Sequence, residues 1–400
     1  MRLRNHVLPL AVALLATSPL LAQSVSPTMS RDLEAVQTSV VTDGLSGSNV
    51  MLVVRNGETI YRNVVDSGRE GDRDIEPDTI FPIWSMSKPI TVVAMMTLHE
   101  QGLFDWNDPV SKYMPCFTEL TVRDGGVLRP ARTPLRVIDL MTHRAGWGYY
   151  NLGIGPPPRH DQPQPSQTRF RDLQQFCEAA AAYPLESDPG TAYVYGINQA
   201  ILGRMVEVLS GKSFATYLDE TIFEPLGMSE TSFVLDEDRR ARFQPLYLNR
   251  GTLRGYTEIL DELNYDPDSQ AHFGGEGLVS TLDDYARFAE MLLGRGDFRG
   301  TRLITEASVD RMLEVTSENI AEDAWPGLDM GFSIFVISED DADGHGTPAG
   351  SFGWFGYHST QFWIDPSNNL FGIYLSRTRD FHWPLPGMIR DAVYESRGDE

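Results

Sequence analysis

A serine and a lysine three residues apart are the strongest chemical signal in this chain. Ser85 and Lys88 stand in the run Trp84-Ser-Met-Ser-Lys88, and on a helix this spacing places them one turn apart on the same face. A lysine amine in its neutral form can accept the serine proton and so activate the hydroxyl for attack on a carbonyl carbon. Because Ser85 stands where a helix begins, its amide N–H has no partner within the helix and can face a developing oxyanion.

Lysine is rare in this chain, which makes the pair specific. The lysines are Lys88, Lys112 and Lys212, and only the first has a serine three positions earlier. With serine at about one position in fifteen, chance gives on the order of 0.2 such pairs. The chain uses arginine almost everywhere else, and arginine cannot give up its proton, so a lysine here suggests a proton carrier. The alternative is a serine that caps a helix beside a solvated lysine.

Tyr195 is the second candidate for moving a proton. It follows Pro189-Gly190 and precedes a helix that the pattern places near Asn198. A tyrosine in the turn entering a helix can direct its phenol across a domain interface and relay a proton between the serine and the leaving group. Taken alone, a tyrosine at this place is more often a packed aromatic residue.

Several further motifs follow these residues in a fixed order. They are Leu140-Met-Thr-His-Arg-Ala-Gly146, Gly211-Lys-Ser-Phe-Ala-Thr-Tyr-Leu218, Phe223-Glu-Pro-Leu-Gly-Met228, Gly277-Leu-Val-Ser-Thr281 and Phe362-Trp-Ile-Asp-Pro366. From about Val50 to Leu375 the chain therefore resembles class C β-lactamases, D-Ala-D-Ala peptidases and the related family VIII carboxylesterases. The resemblance implies an α/β domain and a helical domain with the site between them. It also implies Ser85 as nucleophile, Lys88 as base and Tyr195 as proton relay.

The family's third element is a strand that carries a Lys-Thr-Gly or Trp-Gly-Gly triplet. The matching residues here are Trp354-Phe355-Gly356, which the resemblance implies as substrate-binding residues. The amide of the next residue, Tyr357, is then expected to be the second oxyanion donor beside that of Ser85.

Two departures from the lactamase pattern bear on the substrate. The pattern has an asparagine two residues after the tyrosine, where this chain has Ile197, and a lysine at the first triplet position, where it has Trp354. Losing that cation weakens the binding of an anionic β-lactam, and a tryptophan favours a neutral, apolar acyl group. We therefore expect a carboxylesterase whose partner is a small-molecule acyl substrate. The alternatives are a β-lactamase, a D-amino-acid peptidase or transpeptidase, and, more remotely, a non-catalytic penicillin-binding sensor.

The remaining polar motifs indicate no other chemistry. His143 is interpreted as a structural, hydrogen-bonded histidine, and His358 as either a substrate contact or an edge-exposed residue. The histidines show no metal-ligand spacing, and no glycine-rich phosphate loop or Gly-x-Ser-x-Gly elbow occurs, so neither a metal nor a cofactor is expected. The formal net charge of −23 argues against nucleic-acid binding.

The elements that must position these residues form an α/β pattern. The runs 50–54 and 59–64 flank Asn56-Gly57, a strong hairpin signal, and apolar positions from Ser85 to Gln101 recur at helical spacing. Further strands are predicted over 331–336, 360–364 and 370–375. We expect an antiparallel sheet flanked by helices, with residues 23–110 and 265–400 forming one discontinuous α/β domain and 111–264 an inserted, mostly helical domain. The acidic, Gly-rich loop 339–353 is either a segment that shapes the substrate site or an ordinary surface insertion.

The first residues predict export. Arg2 and Arg4 precede the apolar run 7–16, and Ala22 suits a cleavage site, which is the order of a secretory signal peptide over 1–22. The alternative is an uncleaved membrane anchor. We expect a periplasmic or secreted protein whose mature chain has no membrane span. Cys116 and Cys177 would either pair there or stay free, and the oligomeric state is left open.

Overall fold

An antiparallel sheet of seven strands lies at the centre of the described part of the chain. The computed structural model describes residues 27–149, 170–249, 254–258, 263, 265–318 and 326–394. Across the sheet, the strands run in the order β11 (Leu328–Met330), β12 (Phe335–Ile337), β13 (Phe352–Phe355), β14 (Gln361–Asp365), β15 (Leu370–Ser376), β1 (Asn49–Arg55) and β2 (Glu58–Val65).

The predicted hairpin forms one edge of this sheet. Asn56 and Gly57 connect β1 to β2 with φ angles of 54° and 76°, and both are positive as a two-residue type I′ turn requires. Strand β1 also pairs along its whole length with β15, from Asn49 opposite Ser376 to Arg55 opposite Leu370. The sheet therefore combines an early and a late segment of the chain.

Helices cover both faces of the sheet. Neighbouring residues of a strand point to opposite sides, so each strand contacts helices on both faces. Phe362 of β14 packs on Tyr285 of α9 (Leu282–Leu293), with ring centroids 5.2 Å apart. The next residue, Trp363, donates a hydrogen bond of 3.2 Å from its indole N–H to Tyr394 of α11 (Leu385–Tyr394). Helix α1 (Pro27–Thr42) packs against α11 on that second face.

The segment between β2 and β11 carries most of the helices in the described part of the chain. Its other helices are α2 (Ser87–Glu100), α3 (Val137–Met141), α4 (Leu173–Ala181), α5 (Asn198–Ser210), α6 (Phe214–Leu218), α7 (Glu224–Leu226), α8 (Glu237–Arg242) and α10 (Glu306–Leu313). Short paired strands complete it: β3 (Phe81–Pro82), β4 (Thr121–Asp124), β5 (Val127–Pro130), β6 (Leu246–Leu248), β7 (Gly255–Thr257), β8 (Val279–Ser280), β9 (Asp297–Phe298) and β10 (Thr301–Arg302). Helix α2 is buried from Ser87 to Leu98 and packs against α5, so it is a core helix.

The predicted fold class, an antiparallel sheet flanked by helices with a helical insertion, is confirmed. The division into two domains at residues 110 and 264 stays a prediction. The strand predicted over 331–336 is wrong in its first part, because β12 begins only at Phe335. Ser333 has a φ of 53°, and a Cβ on Gly331 would lie 2.2 Å from the Met312 carbonyl oxygen, so the chain turns there against the end of α10.

The Gly-rich loop 339–353 lies on the α11 face of the sheet. Its His345 ring is 2.7 Å from Asp391, and its Asp343 is 3.7 Å from Arg390, both partners being in α11. This is the face opposite to Trp354, which pairs with Phe362, so the expectation that the loop shapes a site beside Trp354 is wrong.

The signal peptide predicted over 1–22 lies outside the described residues. Among the residues that are described, no helix combines the length and apolar character that crossing a membrane requires. Cys116 is exposed and Cys177 is buried, and both are free thiols in this structure.

Candidate active site

Ser85 lies in a tight turn at the entrance to α2. A single 3-10 turn (Trp84–Met86) runs directly into the helix. Trp84 has a φ of 46°, which is rare for a bulky side chain and marks a strained backbone of the kind found at functional sites. The ring of Trp84 is held between Tyr357 and His358, with centroid distances of 5.0 and 5.3 Å. The segment after the predicted triplet therefore supports the turn that presents Ser85.

Lys88 is one helical turn further on and has no exposed surface. Its Nζ donates hydrogen bonds to Ser85 Oγ at 2.8 Å and to the Gly275 carbonyl oxygen at 2.7 Å. The aromatic rings of Tyr195 and Tyr149 lie 4.9 and 5.3 Å from the same nitrogen. The alternative of a capping serine beside a solvated lysine is wrong, because the lysine is enclosed and its amine faces the serine.

Tyr195 completes the predicted group of three. Its hydroxyl donates to Ser85 Oγ at 2.8 Å, so the amine and the phenol meet at one oxygen. The residue lies in the turn before α5, and its ring contacts His143 and Trp354 at centroid distances of 4.8 and 5.9 Å. The chain thus brings together side chains separated by 110 residues, in an arrangement that allows a proton to leave and return to the serine oxygen.

The ring of His143 packs against the ring of Tyr195. It is buried, and its Nδ1 lies 2.8 Å from the side-chain nitrogen of Asn198. Burial, and to a smaller extent the charge of Lys88, lowers the pKa of His143 well below its usual value. The ring is therefore neutral, which confirms the interpretation of a hydrogen-bonded structural histidine.

The triplet divides between the two faces of the sheet. Trp354 faces Tyr195, whereas the next side chain, Phe355, packs on Phe335 of β12 at 5.1 Å and near Arg390 of α11. Phe355 therefore points away from Ser85, and the structure does not place its side chain with the other predicted substrate-binding residues. The Phe355 backbone belongs to the same strand as Trp354, but the Phe355 side chain lies on the other face of the sheet.

Gly356 brings this strand against the turn that carries Ser85. Its amide donates to the Thr360 carbonyl oxygen at 2.7 Å. A Cβ at this position would lie 2.5 Å from the carbonyl oxygen of Ile83, two residues before Ser85. The close approach explains why glycine occupies the third triplet position. The ring of the next residue, Tyr357, contacts Trp84, and the role of the Tyr357 amide as second oxyanion donor stays a prediction.

His358 does not lie at an exposed edge. Its ring has no exposed surface, and its Nδ1 is 2.6 Å from the Thr378 carbonyl oxygen. The His358 ring packs edge-on against Trp84, so this residue supports the turn that carries Ser85. The exposed-edge interpretation is wrong, because the chain continues over this residue through β15 and the segment that follows it.

Sequence reasoning missed two residues at this site, Glu276 and Tyr149. The Tyr149 hydroxyl donates to Glu276 Oε2 at 3.3 Å, beside the Gly275 carbonyl oxygen that holds Lys88. Glu276 is only 5% exposed. The available signal was a single acidic residue inside the glycine-rich run Phe273-Gly-Gly-Glu-Gly277, immediately before a family motif.

Replacing Gly356 by alanine tests the packing of the strand on the turn. The new Cβ would lie 2.1 Å from Thr360 Oγ1 and 2.5 Å from the Ile83 carbonyl oxygen, and the second is a backbone atom that moves only with the turn. Overpacking of this kind costs about 1–3 kcal/mol, so we expect thermal unfolding to shift down by a few degrees. An unchanged melting temperature measured by circular dichroism would contradict this close approach.

Comparison with known proteins identifies the family and the fold of this chain. A family profile described as Beta-lactamase matches residues 36–391. The uncharacterized protein MT1414 of Mycobacterium tuberculosis is 30% identical over 352 residues, which are 83% of this chain and 85% of that protein. The esterase EstB of Burkholderia gladioli is 28% identical over 365 residues, which are 86% of this chain and 90% of EstB.

A solved structure extends the likeness to the fold as a whole. EstCE1, described as a hydrolase with promiscuous acyltransferase activity, superimposes with a TM-score of 0.78 at 23% identity. The superposition covers 92% of this chain and 98% of EstCE1. At this level of identity the likeness shows a shared fold.

Proposed function

Because this chain belongs to the beta-lactamase family of serine hydrolases, we propose that it hydrolyses carboxylic esters through an acyl-enzyme on Ser85. The observation that carries the proposal is the pair of 2.8 Å hydrogen bonds that Lys88 Nζ and Tyr195 Oη make to one serine oxygen. These contacts surround the hydroxyl with one group able to take its proton and one able to pass a proton on.

The first half of the reaction forms the acyl-enzyme. Ser85 Oγ attacks the ester carbonyl carbon while its proton moves to Lys88 Nζ, and the carbonyl oxygen becomes an oxyanion that the amides of Ser85 and Tyr357 bind. The carbon–oxygen bond to the alcohol then breaks. Tyr195 donates its proton to the leaving alkoxide and is reprotonated from the Lys88 ammonium.

The second half releases the acid. A water molecule attacks the acyl carbon, and its proton passes through Tyr195 to Lys88. The bond between the acyl carbon and Ser85 Oγ breaks, and the serine oxygen recovers a proton from Lys88 as the carboxylic acid leaves. Water and another alcohol compete at the same step, so the site also admits acyl transfer, an activity named in the description of EstCE1.

The preference for an ester over a β-lactam rests on the side chains around Ser85. Trp354 occupies the position where the lactamase pattern has a cation, and its ring continues an aromatic wall formed by Tyr195 and Tyr149. Such a wall suits a neutral, apolar acyl group better than a carboxylate. The similarity to an enzyme named esterase supports the same choice. The second candidate, a β-lactam or a D-amino-acid peptide, follows from the family profile.

A direct comparison of substrates tests the proposal. We expect the purified chain to hydrolyse p-nitrophenyl butyrate with a kcat/KM at least about tenfold above that for nitrocefin. Mass spectrometry of the quenched reaction is expected to find the butyryl group on Ser85. A kcat/KM that favours nitrocefin would replace the ester with a lactam substrate, and labelling by a fluorescent penicillin without turnover of either substrate would indicate a sensor.

The variant Tyr195→Phe isolates the proton relay. Phenylalanine keeps the ring contacts to His143 and Trp354 but removes the hydroxyl that reaches Ser85, so we expect kcat for p-nitrophenyl butyrate to fall roughly 10²-fold or more with little change in melting temperature. Tyr193→Phe is the matched control, because this tyrosine also contacts His143, at 5.8 Å. Equal loss in both variants would contradict a specific role for Tyr195.

A further inference from the structure

A buried carboxylate lies beside the proposed base. Glu276 follows Gly275, whose carbonyl oxygen accepts a 2.7 Å hydrogen bond from Lys88 Nζ. The Glu276 side chain is only 5% exposed, and its Oε2 accepts a hydrogen bond of 3.3 Å from Tyr149. The ring of Tyr149 in turn lies 5.3 Å from Lys88 Nζ, so one tyrosine spans the carboxylate and the amine.

The groups that face this carboxylate come from two other elements. Lys88 projects from α2, and its charge acts on Glu276, while Tyr149 comes from the segment after α3. The Lys88 amine is itself faced by Tyr195 from the turn before α5 and acts on the neutral ring of His143. Among these described neighbours, Glu276 is the carboxylic acid, and Tyr149 keeps its proton because burial, followed by the charge of Glu276, raises its pKa well above the usual value.

A negative charge at this place has a defined effect on the proposed reaction. When Ser85 attacks, its proton moves to Lys88, and a positive charge appears on a nitrogen that has no exposed surface. Water cannot solvate that charge, so a nearby carboxylate stabilises it more than it would in bulk solvent. A buried aspartate stabilises the imidazolium of a Ser-His-Asp triad by the same physical effect.

We propose that Glu276 is a positioning residue that stabilises the ammonium form of Lys88 as Ser85 is acylated, with Tyr149 holding the carboxylate in place. The inference rests on the proposed function, since it assigns a role within the same reaction. Glu276 acts through Lys88 and does not contact the substrate.

The pH dependence of the effect has a definite sign. Burial raises the pKa of the Glu276 carboxyl, and the charge of Lys88 opposes that rise. At high pH the carboxylate is ionised and stabilises the ammonium that forms. As the pH falls through the raised pKa, the carboxyl is protonated and this contribution disappears. Removing the charge therefore lowers the rate at high pH and has little effect in acid.

The variant Glu276→Gln tests the inference. Glutamine keeps the size of the side chain and an oxygen for Tyr149 but has no charge. We expect the high-pH plateau of kcat/KM for p-nitrophenyl butyrate to fall on the order of tenfold. The two profiles should converge in acid.

Two further variants separate this effect from structural damage. Asp284→Asn removes another buried carboxylate, which accepts from Thr231 at 3.1 Å, and we expect lower stability with an unmoved pH profile. Tyr149→Phe removes the hydrogen bond to the Glu276 carboxylate and should lower the high-pH plateau by a smaller factor. If Glu276→Gln does not fold, the pH profile of Tyr149→Phe tests the inference in its place. A Glu276→Gln profile that superimposes on wild type, or one lowered equally at all pH values, overturns the inference. If Ser85→Ala still hydrolyses the ester, the proposed function fails instead.

Discussion

Replacing Ser85 by alanine is expected to reduce hydrolysis of p-nitrophenyl butyrate by on the order of 10⁴- to 10⁶-fold. Alanine removes the oxygen on which the Lys88 amine and the Tyr195 phenol converge, so no acyl-enzyme can form. The remaining backbone amides and the aromatic wall still bind substrate and leave a small residual rate. The measurement is the initial rate at saturating ester, together with intact-mass analysis for the missing acyl adduct.

The neighbouring serine provides a matched control. Ser87 is fully buried in the same turn, and its Oγ accepts from the amide of Leu278 at 3.2 Å, away from the reacting oxygen. Ser87→Ala is expected to lose about 1 kcal/mol of stability and to keep most of its activity. If Ser87→Ala were inactive while Ser85→Ala kept wild-type turnover, the nucleophile would be assigned to the wrong serine.

Replacing Lys88 by methionine is expected to be the second largest loss, roughly 10³-fold or more in kcat. Methionine is unbranched and of similar length, so it fills the buried space that the Lys88 side chain occupies without supplying a proton acceptor. The Ser85 hydroxyl then has no amine to receive its proton, and the Gly275 carbonyl oxygen loses its 2.7 Å hydrogen bond. Lys88→Arg is expected to be as inactive, because a guanidinium does not give up its proton.

The chain also offers a matched control for this lysine. Lys112 is exposed and pairs with Asp108 at 2.8 Å on the surface. Such a pair contributes little, so Lys112→Met should leave kcat/KM near the wild-type value. Both variants are measured at several pH values with the same ester. A Lys88→Met enzyme whose rate stays within tenfold of wild type would show that another group accepts the serine proton.

Local patterns in the sequence predicted the fold class and the contact between Ser85 and Lys88. The hairpin at Asn56-Gly57 depends on two adjacent residues with positive φ, and the contact between Ser85 and Lys88 depends on one helical turn. Both are short-range geometries that hold almost wherever the segment lies. The start of the strand predicted over 331–336 could not be read from the local pattern. Residues 331–334 form the turn between β11 and β12, where Gly331 packs against the end of α10.

Side-chain direction within the third element was less accessible. The triplet Trp354-Phe355-Gly356 could be located from the resemblance, but the face that each side chain occupies depends on the pairing of β13 with β14. A shift of one residue in that pairing would exchange the two faces. The burial of His358 likewise depends on Trp84 and on the Thr378 carbonyl oxygen, which are far apart in sequence.

By itself, the amino-acid sequence determined which hydroxyl and which amine lie in contact, because residues three apart on a helix meet whatever the rest of the chain does. The tertiary structure decided which groups surround them. Tyr195 reaches Ser85 across 110 residues, and the Gly275–Glu276 segment reaches Lys88 across 187. Contacts of that range arise only when the sheet and the inserted helices pack together, since that packing removes water and lets one buried charge act on another.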